Sequence, residues 1–130
     1  MLGTRVGRVR VIFTLPKTLP PLLGARSAPS SWPTDPLAYV EWYTQTPTTP
    51  REKDGNMFRI KSTTTPPGSN RLHPPGAIIR VSEIRQSCML FPIFNDENVP
   101  SDWTTSNVLD KSKSFLVNNW LSKYSYHTIW

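Results

Sequence analysis

The chain has 130 residues, a formal charge of +6, 37% hydrophobic residues, 18% charged residues and 14 prolines. That length allows one domain with a modest core, and the proline content points to long connecting loops rather than long helices, because a helix interior rejects proline. The single cysteine, Cys88, excludes an intrachain disulfide and fits a reducing compartment, while no apolar run approaches the roughly 20 residues that span a bilayer.

In chain order, Val6–Leu15 reads as a first strand, with Val9 and Val11 on one face and Arg8 and Arg10 on the other. From Met1 to Thr34 there are five basic residues and no acidic one, a bias shared with mitochondrial presequences. The period-two alternation and the prolines that follow argue against the amphipathic helix such a leader needs. Residues 16–36 form a long proline-rich connection. Leu37–Thr44 is the most strongly patterned stretch and reads as a second strand: Ala38, Val40 and Trp42 share one face, assigned to the core, and Tyr39, Glu41 and Tyr43 share the other. The polar stretch 45–55 ends in Asp54-Gly55, a strong turn signal.

Met57–Ser62 reads as a third strand with Phe58 and Ile60 inward and Arg59 and Lys61 outward. A second proline-rich loop covers 63–76, and Ala77–Val81 is a fourth strand. Ser82–Arg85 suits one helical turn capped by Ser82, with Glu83 in its first turn. Cys88–Phe94 is a fifth strand that Pro92 assigns to an edge or a bulge. An acidic loop with Asp96, Glu97 and Asp102 follows, then a short helix around Val108–Lys113, a strand or buried segment at Phe115–Trp120, and a last strand in which Tyr124, Tyr126, Thr128 and Trp130 alternate. The expected fold is mainly β, a single domain over 1–130 built as a small partly open barrel or two packed antiparallel sheets with little helix.

The pattern offers no catalytic constellation. His73 and His127 are far apart, Cys88 sits in an apolar run and reads as a small buried thiol, and no nucleophile elbow or Gly-rich phosphate loop occurs. One cysteine and two histidines do not make a zinc site, and Asp96, Glu97 and Asp102 crowd into one loop as solvated charges. The chain is therefore read as not an enzyme, with no metal, cofactor or small-molecule substrate implied.

Binding is the remaining chemistry. Tyr39 and Tyr43 flank Glu41, and two rings beside a carboxylate suit a basic or methylated side chain, or else pack beneath a loop. Residues 1–90 hold 12 Lys and Arg against 5 Asp and Glu, a balance of +7, whereas 91–130 hold 3 against 4, a balance of −1. An excess confined to one region suits nucleic acid; the plainer reading is a surface that keeps a small domain soluble. Base stacking on the tyrosines would need Arg8, Arg10, Arg59 and Lys61 on the same side.

The ordered segments "RVGRVRVIF", "LAYVEWYT", "IIRVSEIRQSCMLFPIF" and "SFLVNNWLSKYSYHTIW" resemble the C-terminal region of transposon-derived proteins of mushroom-forming fungi, of the Plavaka or a related transposase type. The resemblance spans nearly the whole chain and is weakest in the two proline-rich loops. Similar segments carry a histidine and a lysine in the "CMLFPIF" run, where Met89 and Ile93 stand here. In that family the segment follows a much longer protein, so the chain resembles a detached terminal domain or a gene fragment. The resemblance implies an accessory domain apart from the recombinase carboxylates. The strand order is also similar to bromo-adjacent-homology and other SH3-like barrels. The function expected is a non-catalytic interaction domain contacting nucleic acid or a chromatin protein through Tyr39, Glu41, Tyr43, Arg8, Arg10, Arg59 and Lys61, in an intracellular compartment of which the nucleus is one candidate. The alternative is a structural or oligomerising segment, and the oligomeric state is left open.

Overall fold

The computed structural model describes residues 5–20, 24, 26–45, 54–63, 75–94 and 98–120. Six strands, β1 (Gly7–Phe13), β2 (Leu37–Gln45), β3 (Phe58–Ser62), β4 (Gly76–Arg80), β5 (Met89–Pro92) and β6 (Ser114–Asn118), form one antiparallel sheet, with a short helix α1 (Val108–Lys111) and a 3₁₀ turn at Val81–Glu83. The strand order is β1-β2-β3-β6-β5, with β4 also on β2, and the sheet curls into a half-barrel. The mainly β, partly open architecture expected from the sequence is thus the one observed.

β2 carries the curl because both its edges are occupied. Its residues Leu37–Trp42 pair with β1, and Leu37–Glu41 pair with β4. Further along, Tyr43–Gln45 pair with β3. The Trp42 amide donates to the Pro75 carbonyl (3.2 Å), and the Trp42 carbonyl accepts from the Thr63 hydroxyl (2.7 Å). Both groups of one residue point to one edge of a strand, so β4 and β3 follow one another along the same edge of β2.

Residues opposite each other on a ladder share a face of the sheet, so the register identifies two apolar layers. Ala38 and Val40 are buried on the face they share with Ala77 and Ile79 of β4. The other face holds the main core: Tyr43 is opposite Ser62, Ile60 opposite Phe115, and Phe58 opposite Val117, itself opposite Leu90. Phe58, Ile60, Phe115 and Val117 are almost wholly buried, with Tyr43, Cys88, Leu90 and Leu109 packed against them. Burying four such side chains contributes roughly 1.5–3 kcal/mol each. The expected alternation in β3 holds, with Phe58 and Ile60 buried and Lys61 exposed.

Three local expectations need correction. In β1 the pairing shifts between Val9 and Val11, a β-bulge at Arg10. An extra residue reverses the alternation, so Val9 pairs with Val40 and Val11 with Tyr39, on opposite faces rather than one. The 3₁₀ turn is capped by Glu83, whose carboxylate accepts the Arg80 amide (2.8 Å), and Ser82 lies inside the turn instead of before it. β2 does not divide into a core parity and an outward parity, since Tyr43 joins the main core.

Asp54-Gly55 forms the expected turn: Met57 donates to the Asp54 carbonyl (3.2 Å), and Gly55 and Asn56 take φ of 62° and 57°. Two consecutive left-handed residues are the mark of a tight mirror-image turn, which glycine and asparagine tolerate best. Among the described residues β5 pairs with β6 alone, which puts Pro92 on an edge strand there. The 16–36 connection folds back on itself through Leu19 donating to Arg26 and Ala28 to Lys17, at 3.0 and 2.9 Å. The last strand expected at 124–130, most of the 63–76 loop, and Asp96 and Glu97 lie outside the described residues.

Asn119, just after β6, is fully buried, and neither its amide nitrogen nor its oxygen meets a hydrogen-bond partner among the described residues. Leaving such groups unpaired costs about 1–3 kcal/mol. An Asn119→Leu variant, similar in volume and without polar atoms, should therefore unfold at a higher temperature than the parent in a thermal melt. An equal or lower Tm would mean the amide contributes to the fold.

Candidate functional site

β1 and β5 stand at the two ends of the strand order, and the half-barrel is open between them. A cleft of about 770 Å³ lies there, between Arg5–Val9 on one side and Glu83–Cys88 on the other. Its volume is in the range of roughly 300–1,000 Å³ usual for ligand sites. Val6, Val40, Trp42, Ile79, Leu90 and Val117 make its apolar wall, and Arg5, Glu83 and Arg85 add charge to its lining.

Glycine shapes one side of it. A Cβ at Gly7 would sit 2.3 Å from Val40 Cγ1 and 3.0 Å from the Trp42 ring. Only the missing side chain lets those two residues close over β1. The Arg5 guanidinium then stacks on the exposed side of Trp42, 4.4 Å from the ring centroid, a cation–π contact worth about 0.5–1 kcal/mol at an accessible site. Trp42, assigned to the core from its parity with Val40, is half-buried and belongs to the cleft wall.

The residues singled out from the sequence do not form one patch. Tyr43 meets Phe115 edge to face, with centroids 5.7 Å apart, and burial pushes its phenol pKa up. Tyr39 lies across Gly76, where a Cβ would come within 2.5 Å of its hydroxyl. Glu41 lies 3.8 Å from the Arg10 guanidinium. Arg8 hydrogen-bonds Asp110, and Arg10 approaches the same carboxylate at 3.9 Å. Arg59 grips the buried Asp54 carboxylate through two nitrogens, at 2.8 and 3.3 Å. Lys61 is exposed. β1 and β3 both flank β2, but the register puts Arg8, opposite Glu41, and Lys61, opposite Thr44, on opposite faces.

The Arg8–Asp110 pair fastens α1 to β1, and Leu109 beside it lines the cleft. Lys111 likewise pairs with Asp102 and ties the helix to the preceding loop. Cys88 also lines the cleft, and burial pushes its thiol pKa up. A thiol so shifted is protonated at neutral pH and a poor nucleophile. Among the described residues no group of three His, Cys, Asp or Glu side chains could hold a metal ion, and no helix is long and apolar enough to cross a membrane. The arrangement can bind an apolar segment beside a strand edge and offer it positive charge.

Sequence reasoning missed Arg5, Ile84, Arg85 and Leu90 as cleft residues, because the two segments that supply them meet only through the curl of the sheet. Gly7 inside a β-branched strand was the one available sign of a close approach. Compared with known protein families, curated proteins and solved structures, the chain matches none.

The Arg8 hydrogen bond holds the Asp110 carboxyl below its ordinary value of 3.8. A depressed carboxyl stabilises the fold fully above its unfolded pKa, and that contribution fades as pH falls from 3.8 toward the folded value. Asp110 is 59% exposed, so solvent screening limits the pair to about 0–1 kcal/mol. Asp110→Asn should lower Tm slightly at pH 7 and by less at pH ~2. Equal melting at both values would remove this pair from the stability of the fold.

Proposed function

We propose that this chain is a non-catalytic interaction domain that holds a segment of a protein partner in the cleft beside β1. The observation that supports it is the cleft itself, an apolar-walled opening on the unclosed side of a half-barrel, next to a strand edge and lined by Arg5 and Arg85. Concave apolar sites with a few charged groups are where small domains bind. The resemblance to the terminal region of transposon-derived fungal proteins agrees with an accessory role of this kind. Within such a protein the domain would bring a longer chain to a chromatin protein and would act in the nucleus. Nucleic acid is less favoured as the partner, because Arg8, Arg10 and Arg59 each have an acidic neighbour in Asp110, Glu41 or Asp54.

A second reading, self-association, has its own observation. Val11, Tyr39 and Ile78 lie in one row across β1, β2 and β4, with Val11 50% and Ile78 62% exposed. An exposed apolar row on an open sheet favours packing against another surface.

The first reading is tested by selecting random peptides on the purified chain and titrating the winners. Val9 and Ile84 line the cleft and are 43% and 36% exposed, so Val9→Lys and Ile84→Glu alter it without touching the core. Each should weaken peptide binding by about tenfold or more, which corresponds to about 1.4 kcal/mol. Peptides that ignore both changes, or binding to duplex DNA that collapses between about 50 and 200 mM salt, would count against it. For self-association, light scattering should show a dimer or larger species that Ile78→Lys reduces to monomer. A monomeric parent chain would dismiss that reading.

A further inference from the structure

Among the described residues no strand pairs with the outer edge of β1, where the cleft opens. Tyr43 donates to the Val6 carbonyl at 3.0 Å, so Val6 and Arg8 address β2, and the alternation of an antiparallel ladder turns the main-chain groups of Gly7 and Val9 away from it. Both residues line the cleft. Natural sheets blunt such edges with lysine, proline, bulges or a covering segment. β1 has neither lysine nor proline, and its bulge comes only at Arg10. Among the described residues the stretch Arg5–Val9 is left as an open template.

Charge narrows the occupant. Arg5, Arg8, Glu83 and Arg85 are the Arg, Lys, Asp and Glu residues of the cleft lining. Arg8 is committed to Asp110, and the Glu83 carboxylate accepts the Arg80 amide. Arg5 and Arg85 are exposed, and neither pairs with a carboxylate among the described residues. Two guanidiniums without an ion-pair partner among the described residues, against the single Glu83 carboxylate, leave the apolar cleft net positive and complement a negative ligand.

Resting on the cleft reading above, we infer that the partner segment is an extended acidic peptide that adds as a strand to the free edge of β1. Its backbone bonds to the outward main-chain groups of Gly7 and Val9, its carboxylates meet Arg5 and Arg85, and its apolar side chains of one parity enter the cleft. Main-chain pairing gives affinity in this mode, and alternate side chains give selectivity. About five residues of an extended strand match Arg5–Val9.

The test uses the full isotope-labelled chain and blocked peptides of about ten residues, enough to span that edge, in which valine alternates with glutamate, lysine or threonine. A fourth probe is the glutamate peptide N-methylated at alternate residues, and a fifth is a single-stranded oligothymidylate. The glutamate peptide should shift the Gly7 and Val9 amides, slow their hydrogen exchange, and bind at least about tenfold more tightly than the lysine peptide. Arg5→Ala combined with Arg85→Ala should abolish that preference. N-methylation should cost about tenfold, the worth of two hydrogen bonds. Equal cleft binding by the glutamate and lysine peptides would overturn the acidic partner while leaving the cleft reading standing. Unchanged binding after N-methylation would overturn strand addition. Oligothymidylate as the sole ligand to shift these amides, or no shift with any probe, would overturn the inference and the cleft reading together.

Discussion

The structure depends on β2 having no free edge. With β1 on one side and β4 followed by β3 on the other, this strand belongs to two stretches of sheet at once. Its partners on the second edge change between Glu41 and Tyr43, and apolar packing changes face there too, from Ala38 and Val40 to Tyr43 and the Phe115 cluster. A sheet that packs on opposite faces at its two ends must bend, and a bent sheet of six strands brings β1 round toward β5 without closing on it. The cleft is the gap that remains.

Electrostatics fixes what the curl leaves loose. Asp110 gathers Arg8 and Arg10 from β1, so α1 is held against a strand far from it in sequence. Asp54 holds Arg59 at the turn that begins β3. The exposed pairs of Asp110 contribute little each, and the larger effect of these contacts is on the electrostatic surface. Among the first ninety residues Arg8, Arg10 and Arg59 have acidic neighbours, whereas Arg5, Lys17, Arg26, Lys61, Arg80 and Arg85 have no ion-pair partner among the described residues. Of these, Arg5 and Arg85 belong to the cleft lining.

Much of the fold was legible because it is written in short-range pattern. Phe58 and Ile60 alternate with Arg59 and Lys61, Asp54-Gly55 marks a turn, and Pro92 marks an edge, and each of these signals spans a handful of residues. The bulge at Arg10 was not legible, since an unbroken alternation of valine and arginine gives no sign of the extra residue. The role of Tyr43 depends on Phe115, and the partner of Arg8 is Asp110. Such pairings follow from tertiary geometry, which local pattern does not carry. The cleft was hidden for the same reason, as it joins the start of β1 to the segment before β5. Parity over Leu37–Thr44 assigns a single buried face, and it fails where the strand passes from one layer to the other.

The bulge also separates two kinds of tolerance within one short strand. Residues before it, Gly7 to Val9, line the cleft, whereas Val11 after it stands in the row with Tyr39 and Ile78 on the far face. A single inserted residue thus lets neighbouring positions answer to different surfaces. Substitutions at Val9 and at Val11 therefore act on different surfaces, and deleting Arg10 would remove the bulge yet leave the two valines as consecutive residues on opposite faces, so the register against Val40 and Tyr39, rather than the inserted residue alone, keeps the surfaces apart.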